Sequence, residues 1–158
     1  HPSFDSRYYV SSERKWLENS ILTWSTFVEQ AAELDTLLLL ENVYEKEPRQ
    51  LVHLLTALDS PRVRFCLDTG HCNAFSDAPL SSWLEELGTF LGEVHLHDND
   101  GSRDAHLPIG EGNFPFMELF GFLKTKVNRP ILTLEAHSAD HLSRTLETLR
   151  KNRLFGLI

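Results

Sequence analysis

Three polar residues at equal spacing constrain this chain more than any other feature. Glu41, Asp68 and His95 lie 27 positions apart, and each follows a short apolar run. A fourth run, over 130–134, ends in Glu135. Between these runs the hydrophobic period becomes helical. Leu17, Ile21, Trp24, Val28 and Ala31 mark a helix over about 12–33, capped by Ser11 or Ser12. Leu51, Leu54, Leu55 and Leu58 mark a second helix, opened by Pro48. Pro79 opens a third, with Trp83, Leu84, Leu87 and Phe90 or Leu91 as its buried stripe. A fourth enters at 113–115 and carries Phe116, Leu119, Phe120 and Leu123; a fifth covers 139–151 with Leu142, Leu146 and Leu149. Strand and helix in alternation predict βα units on a parallel sheet. In barrels of such units, chemistry gathers at the C-terminal strand ends.

The unbroken run over 37–40 predicts a strand buried on both sides. Four strands are visible, and the opening His-Pro-Ser-Phe reads as the end of a fifth. A closed barrel needs eight. The expectation is therefore an α/β fold, a (β/α)8 TIM barrel of which 1–158 is roughly the C-terminal half, a single domain lacking its N-terminal strands. That the chain opens at His1 with no methionine fits a fragment or a processed product. A small open doubly wound sheet is the alternative, and it gives no reason for acids at the strand tips.

Composition narrows the partners. A hydrophobic fraction of 41% is ordinary for a globular domain, and no apolar run reaches membrane-span length. A net charge of −8 weighs against a nucleic-acid partner, which needs a basic footprint. Cys66 and Cys72 are not in a paired redox spacing, which points to a reducing, cytoplasmic setting.

Strand alternation sends His95 and His97 to one face, and the loop that follows holds Asp98, Asp100, Asp104, His106 and Glu111. Collected at the strand tips are His1, Glu41, Asp68, His71, His95, Asp104, His106 and Glu135. So many carboxylates and imidazoles at one rim repel or stay protonated without a cation. Mixed nitrogen and oxygen donors suit zinc, manganese or cobalt. His97 is expected as a partner behind His95 or a packed polar residue, and His137 at the pocket mouth. Asn42 is expected to orient Glu41 or to contact substrate. Arg103 and Arg7 are candidates for a substrate phosphate or solvated surface residues, and Gly110-Glu111-Gly112 reads as a turn. Cys66 and Trp16 read as packing, and the apolar tail 154–158 needs a partner surface.

These residues resemble the xylose isomerase-like barrel superfamily. The resemblance runs through His-Pro, Leu-Glu41-Asn42, Leu-Asp68-Thr-Gly-His71, Val-His95-Leu-x-Asp98, Asp104-x-His106-x3-Gly110-Glu-Gly112 and Leu-Glu135. Its sugar phosphate isomerase/epimerase group implies one divalent metal (manganese, cobalt, magnesium or zinc) held by Glu41, Asp68, His95 and Glu135. Glu41 and Glu135 would then exchange a proton with a sugar through a metal-stabilised enediolate, with His71 toward the substrate; Arg103 and Asn42 stay as the further substrate candidates. Its endonuclease IV group (AP endonuclease family 2) implies zinc, with His1, His71, Asp104 and His106 as further ligands and cleavage at abasic sites. Ala105 departs from that pattern, which carries Arg there. The isomerase or epimerase reading is preferred, with a sugar as partner, the charge weighing against nucleic acid, and no membrane partner. A homo-oligomer, or a complement from the missing half, would complete the barrel; an inactive half-barrel is the third reading.

Overall fold

The computed structural model describes residues 1–9 and 12–152. Ser11 and the tail 154–158, for which a cap and a partner surface are expected, lie outside the described residues. The order of elements is helix α1 Ser6–Tyr9, helix α2 Glu13–Glu33, strand β1 Leu38–Glu41, helix α3 Arg49–Leu58, strand β2 Val63–Asp68, helix α4 Thr69–Phe75, helix α5 Leu80–Leu87, strand β3 Leu91–Leu96, helix α6 Phe116–Lys124, strand β4 Ile131–Leu134 and helix α7 Ala139–Lys151. The four strands form one parallel sheet in the order β1-β2-β3-β4. This is the βα alternation read from the sequence. No helix among the described residues is long and apolar enough to cross a membrane.

The sheet has two chemically different faces. Leu40, Val63, Phe65, Leu67, Val94 and Leu96 point to one of them and are at most 2% exposed. They pack under the helices against Leu51, Leu54, Trp83, Leu87, Leu119 and Phe120. The alternate residues Glu41, Cys66, Asp68, Glu93, His95 and Thr133 must face the other way. Burying the first face drives folding, at about 1.5–3 kcal/mol for each large apolar side chain. The second face is thereby left free to carry polar groups.

Several expectations are corrected. The run 37–40 is not buried on both sides: Leu40 is buried, but Leu37 is 48% exposed and Leu38 and Leu39 are half-buried. β1 is an edge of the sheet, with β2 along one side only. Leu91 belongs to β3, not to the preceding helix. Residues 1–5 are neither helix nor strand. Side chains pin them instead: Trp16 Nε1 donates to the Pro2 carbonyl at 3.0 Å, and the Phe4 amide donates to Glu45 Oε1 at 2.6 Å.

Equal spacing in sequence does not give equal height in the sheet. Glu41 pairs in register with Cys66, whereas Asp68 pairs with His95. Asp68 and His95 therefore stand two residues, or about 6.6 Å, above Glu41 along the strand direction. The longer glutamate side chain spans that step.

Candidate metal centre

β2 delivers Asp68 at its last position, and the chain turns at once into α4. Asp68 is the N-cap: its Oδ1 accepts from the His71 amide at 2.7 Å, which fixes the carboxylate and sends His71 back over the strand end. Asn42, one residue past β1, holds Asp68 from the other side. The Asp68 amide donates to Asn42 Oδ1 at 2.9 Å, and Asn42 Nδ2 donates to the Asp68 carbonyl at 3.2 Å. Asn42 is 1% exposed, and both ends of its amide are engaged by Asp68. Its place is thus behind Asp68, and neither expected role, toward Glu41 or toward substrate, is what its side chain does. Gly70 is required here, because a Cβ at that position would run into the His97 ring.

The loop after β3 is built around Asp98, which is 1% exposed. Its carboxylate accepts from the amides of Asn99, Gly110, Gly112 and Phe114 at 2.9–3.2 Å. The glycine-rich turn therefore cradles an internal carboxylate. This closed loop presents Asp104 and His106, and His106 takes a left-handed backbone (φ 47°). His106 Nε2 lies 3.0 Å from Asp104 Oδ2.

The strand tips converge. His95 Nδ1 lies 3.6 Å from Glu41 Oε1, 3.7 Å from Asp68 Oδ2 and 3.7 Å from Glu135 Oε2. His97 Nε2 sits 3.0 Å from both Asp68 oxygens and 3.4 Å from Glu135 Oε2. His71 bridges, with Nδ1 3.3 Å from Glu41 Oε1 and Nε2 3.4 Å from Asp104 Oδ2. His1 Nε2 reaches Glu41 Oε2 at 2.9 Å. All eight residues collected from the sequence meet at this rim. Arg103 is not among them; it stands exposed on the loop. Arg7 forms an ion pair with Asp5 at 2.6 Å, and His53 lies 3.7 Å from Glu13 on the helical side. His137 stacks on His106 (centroids 3.6 Å apart), which in turn stacks on His97 at 3.8 Å.

The electrostatics are those of a crowded anionic site. Burial opposes ionisation of Asp68, but His95 and His97 outweigh it and hold the carboxyl well below its usual range. Glu41 is likewise lowered, with His71 and His95 overcoming its desolvation. Burial and the neighbouring Asp68 charge push Glu135 up instead. The neighbouring carboxyls thus divide, Asp68 and Glu41 lowered and Glu135 raised. His71 is pushed up to about 9: burial works against the imidazolium, but Glu41, Asp68 and Asp104 prevail.

Whether a divalent cation fits can be judged from the donors. His95 Nδ1 is buried without a hydrogen-bond partner among the described residues, although three carboxylate oxygens surround it. Ligand atoms about 2.1 Å from a tetrahedral ion stand about 3.4 Å apart, close to the spacing seen. The Asp68, His95 and Glu135 atoms lie within 4.8 Å of one another, as do those of Glu41, Asp68 and His71. A further cluster joins His97, Asp104 and His106, where His97 Nδ1 and Asp104 Oδ1 are also unpartnered. The residues fit a divalent ion.

Missed in the sequence were the roles of Asp98 and Glu45 and the presence of Glu93 beneath His95. Only Glu93 had a readable signal, its place two residues before His95 on the same strand face.

Comparison with known proteins agrees with the fold. A family model described as xylose isomerase-like TIM barrel matches residues 7–152. An uncharacterised protein of Methanocaldococcus jannaschii is 29% identical over 158 residues, covering 96% of this chain and 54% of its own length. Fructoselysine 3-epimerase of Escherichia coli O157:H7 is 36% identical over 70 residues, 44% of this chain and 25% of that enzyme. The crystal structure of a D-tagatose 3-epimerase-like protein superposes with a TM-score of 0.80 at 26% identity, over 94% of this chain and 58% of that one. The chain thus spans little more than half the length of the first two full-chain matches.

Proposed function

We propose that this chain, which belongs to the xylose isomerase-like TIM barrel family, carries the metal centre of a sugar isomerase or epimerase. One observation carries the reading: the buried, unpartnered His95 Nδ1 is ringed by Glu41, Asp68 and Glu135. The similarity to a D-tagatose 3-epimerase-like protein and to fructoselysine 3-epimerase supports a sugar as the substrate class.

Glu41, Asp68, His95 and Glu135 would hold the ion. When bound, a divalent cation (manganese, cobalt, magnesium or zinc) supplies Lewis-acid polarisation of adjacent sugar oxygens. The chain's own residues then handle the proton. Glu41, approached by His71 Nδ1 at 3.3 Å, would take it from the carbon next to the carbonyl. Glu135, raised by burial and by Asp68, is suited to holding and returning one. Asp68 stays charged and immobile, clamped by Asn42 and the His71 amide. His71, between Glu41 and Asp104, would face the sugar oxygens as a donor. Arg103, exposed on the loop, would be the candidate to meet a phosphate where the sugar carries one.

The test is solvent hydrogen exchange. Manganese-loaded protein is incubated with ketoses in deuterated water, and label beside the carbonyl is followed by NMR. Label should appear with wild type and be lost by at least about 100-fold in Glu41→Gln and Glu135→Gln, the scale of general acid–base catalysis. Cleavage of an abasic duplex without sugar labelling would overturn this reading in favour of phosphodiester hydrolysis.

A further inference from the structure

We infer that Glu93, backed by Thr133, is the positioning residue that orients His95 toward the metal. The inference rests on the metal-centre reading above and does not depend on which sugar is used.

Glu93 and His95 lie two residues apart on β3 and therefore share the polar face of the sheet. Register places Thr133 of β4 directly beside His95, and Cys66 of β2 directly beside Glu93. The imidazole is thus addressed from two ends. Nδ1 looks up at Glu41, Asp68 and Glu135, while Nε2 looks down at Glu93 Oε1, 3.6 Å away. That same Oε1 accepts from Thr133 Oγ1 at 2.6 Å. Donation from Thr133 fixes the carboxylate where the ring can use it.

The chemistry requires such a partner. An imidazole that offers its Nδ1 lone pair to a cation must carry its proton on Nε2, and a ring free to flip would offer either nitrogen. A carboxylate below Nε2 selects the useful tautomer, restrains rotation and makes Nδ1 a stronger donor. Cys66, 1% exposed, completes the floor, its sulfur clustering with Glu93 and His95. No catalytic step is assigned to Glu93, whose action passes through His95.

The experiment is a cobalt(II) titration of the metal-free protein, followed by calorimetry and by the cobalt absorption spectrum. It is run on wild type, Glu93→Gln and Thr133→Val, with 15N NMR of His95 in the zinc-loaded forms. Losing such a partner typically weakens metal binding by about 10–100-fold. Glu93→Gln should fall in that range with an altered cobalt spectrum, and Thr133→Val should lose less. The metal-free proteins should melt together, and Glu93→Asp should recover part of the affinity. A Glu93→Gln affinity within threefold of wild type overturns the inference and leaves the metal centre standing. If that variant does not fold, an unchanged cobalt spectrum and affinity in Thr133→Val overturns it. Wild type that binds no cobalt overturns this inference and the centre together.

Discussion

Removing the Asn42 amide should unfasten the two strands that set the height of Asp68. In Asn42→Ala the Asp68 amide and carbonyl both lose their partner, inside a region where Asn42 is 1% and Asp68 0% exposed. An orphaned buried polar group costs about 1–3 kcal/mol, so two together cost about 2–6 kcal/mol. For a domain of this size each kcal/mol moves the melting temperature by about 2–4 °C, giving a fall of roughly 4–24 °C. Urea and thermal unfolding by circular dichroism, in the presence of a chelator, measure this without reference to catalysis. Asn19→Ala, on the exposed side of α2, is the control and should stay within about 0.5 kcal/mol of wild type. A loss below about 1 kcal/mol for Asn42→Ala would show that water or a backbone shift replaces the clamp, and the argument for a rigidly held Asp68 would fail.

Asp98→Ala removes the acceptor of four backbone amides and should cost at least about 3 kcal/mol, since bonds to a charged acceptor are worth about 1.5–3 kcal/mol each. Hydrogen exchange at Gly110 and Gly112 should quicken well beyond the global change; continued protection there would refute the role given to Asp98. The metal-free protein should also show a pH dependence traceable to His71. Its folded pKa, about 9, is above the ordinary histidine value, so its contribution is full below about pH 6.5 and disappears as pH rises through 9. Chemical denaturation at several pH values should show that decline in wild type and a shallower one in His71→Gln; parallel curves would contradict the assignment.

What was legible in the sequence was what depends on period and on strand ends. Apolar runs and helical stripes placed the βα units, because burying one sheet face under helices is what those patterns are for. The run 37–40 misled: its composition is that of an interior strand, while its position at a sheet edge leaves Leu37 exposed. Helix α4 was hidden because Thr-Gly-His is a poor helical stripe; the signal lay in Asp68 as an N-cap, which its candidacy as a ligand obscured. The tip residues could be collected because side-chain type and strand position both mark them. Asn42 and Asp98 were beyond reach for another reason. Their partners stand 26 and up to 16 positions away, and their pairing depends on strand stagger and loop closure, which spacing does not encode. Even the 27-residue interval concealed the two-residue step between Glu41 and Asp68.

The most direct measurement is a crystal of this protein grown with manganese or zinc and read by anomalous scattering. One strong peak should appear, with oxygens of Glu41, Asp68 and Glu135 and Nδ1 of His95 each about 2.0–2.3 Å away. A peak bound elsewhere, or none at saturating metal with His95 Nδ1 hydrogen-bonded to a neighbour instead, would contradict it.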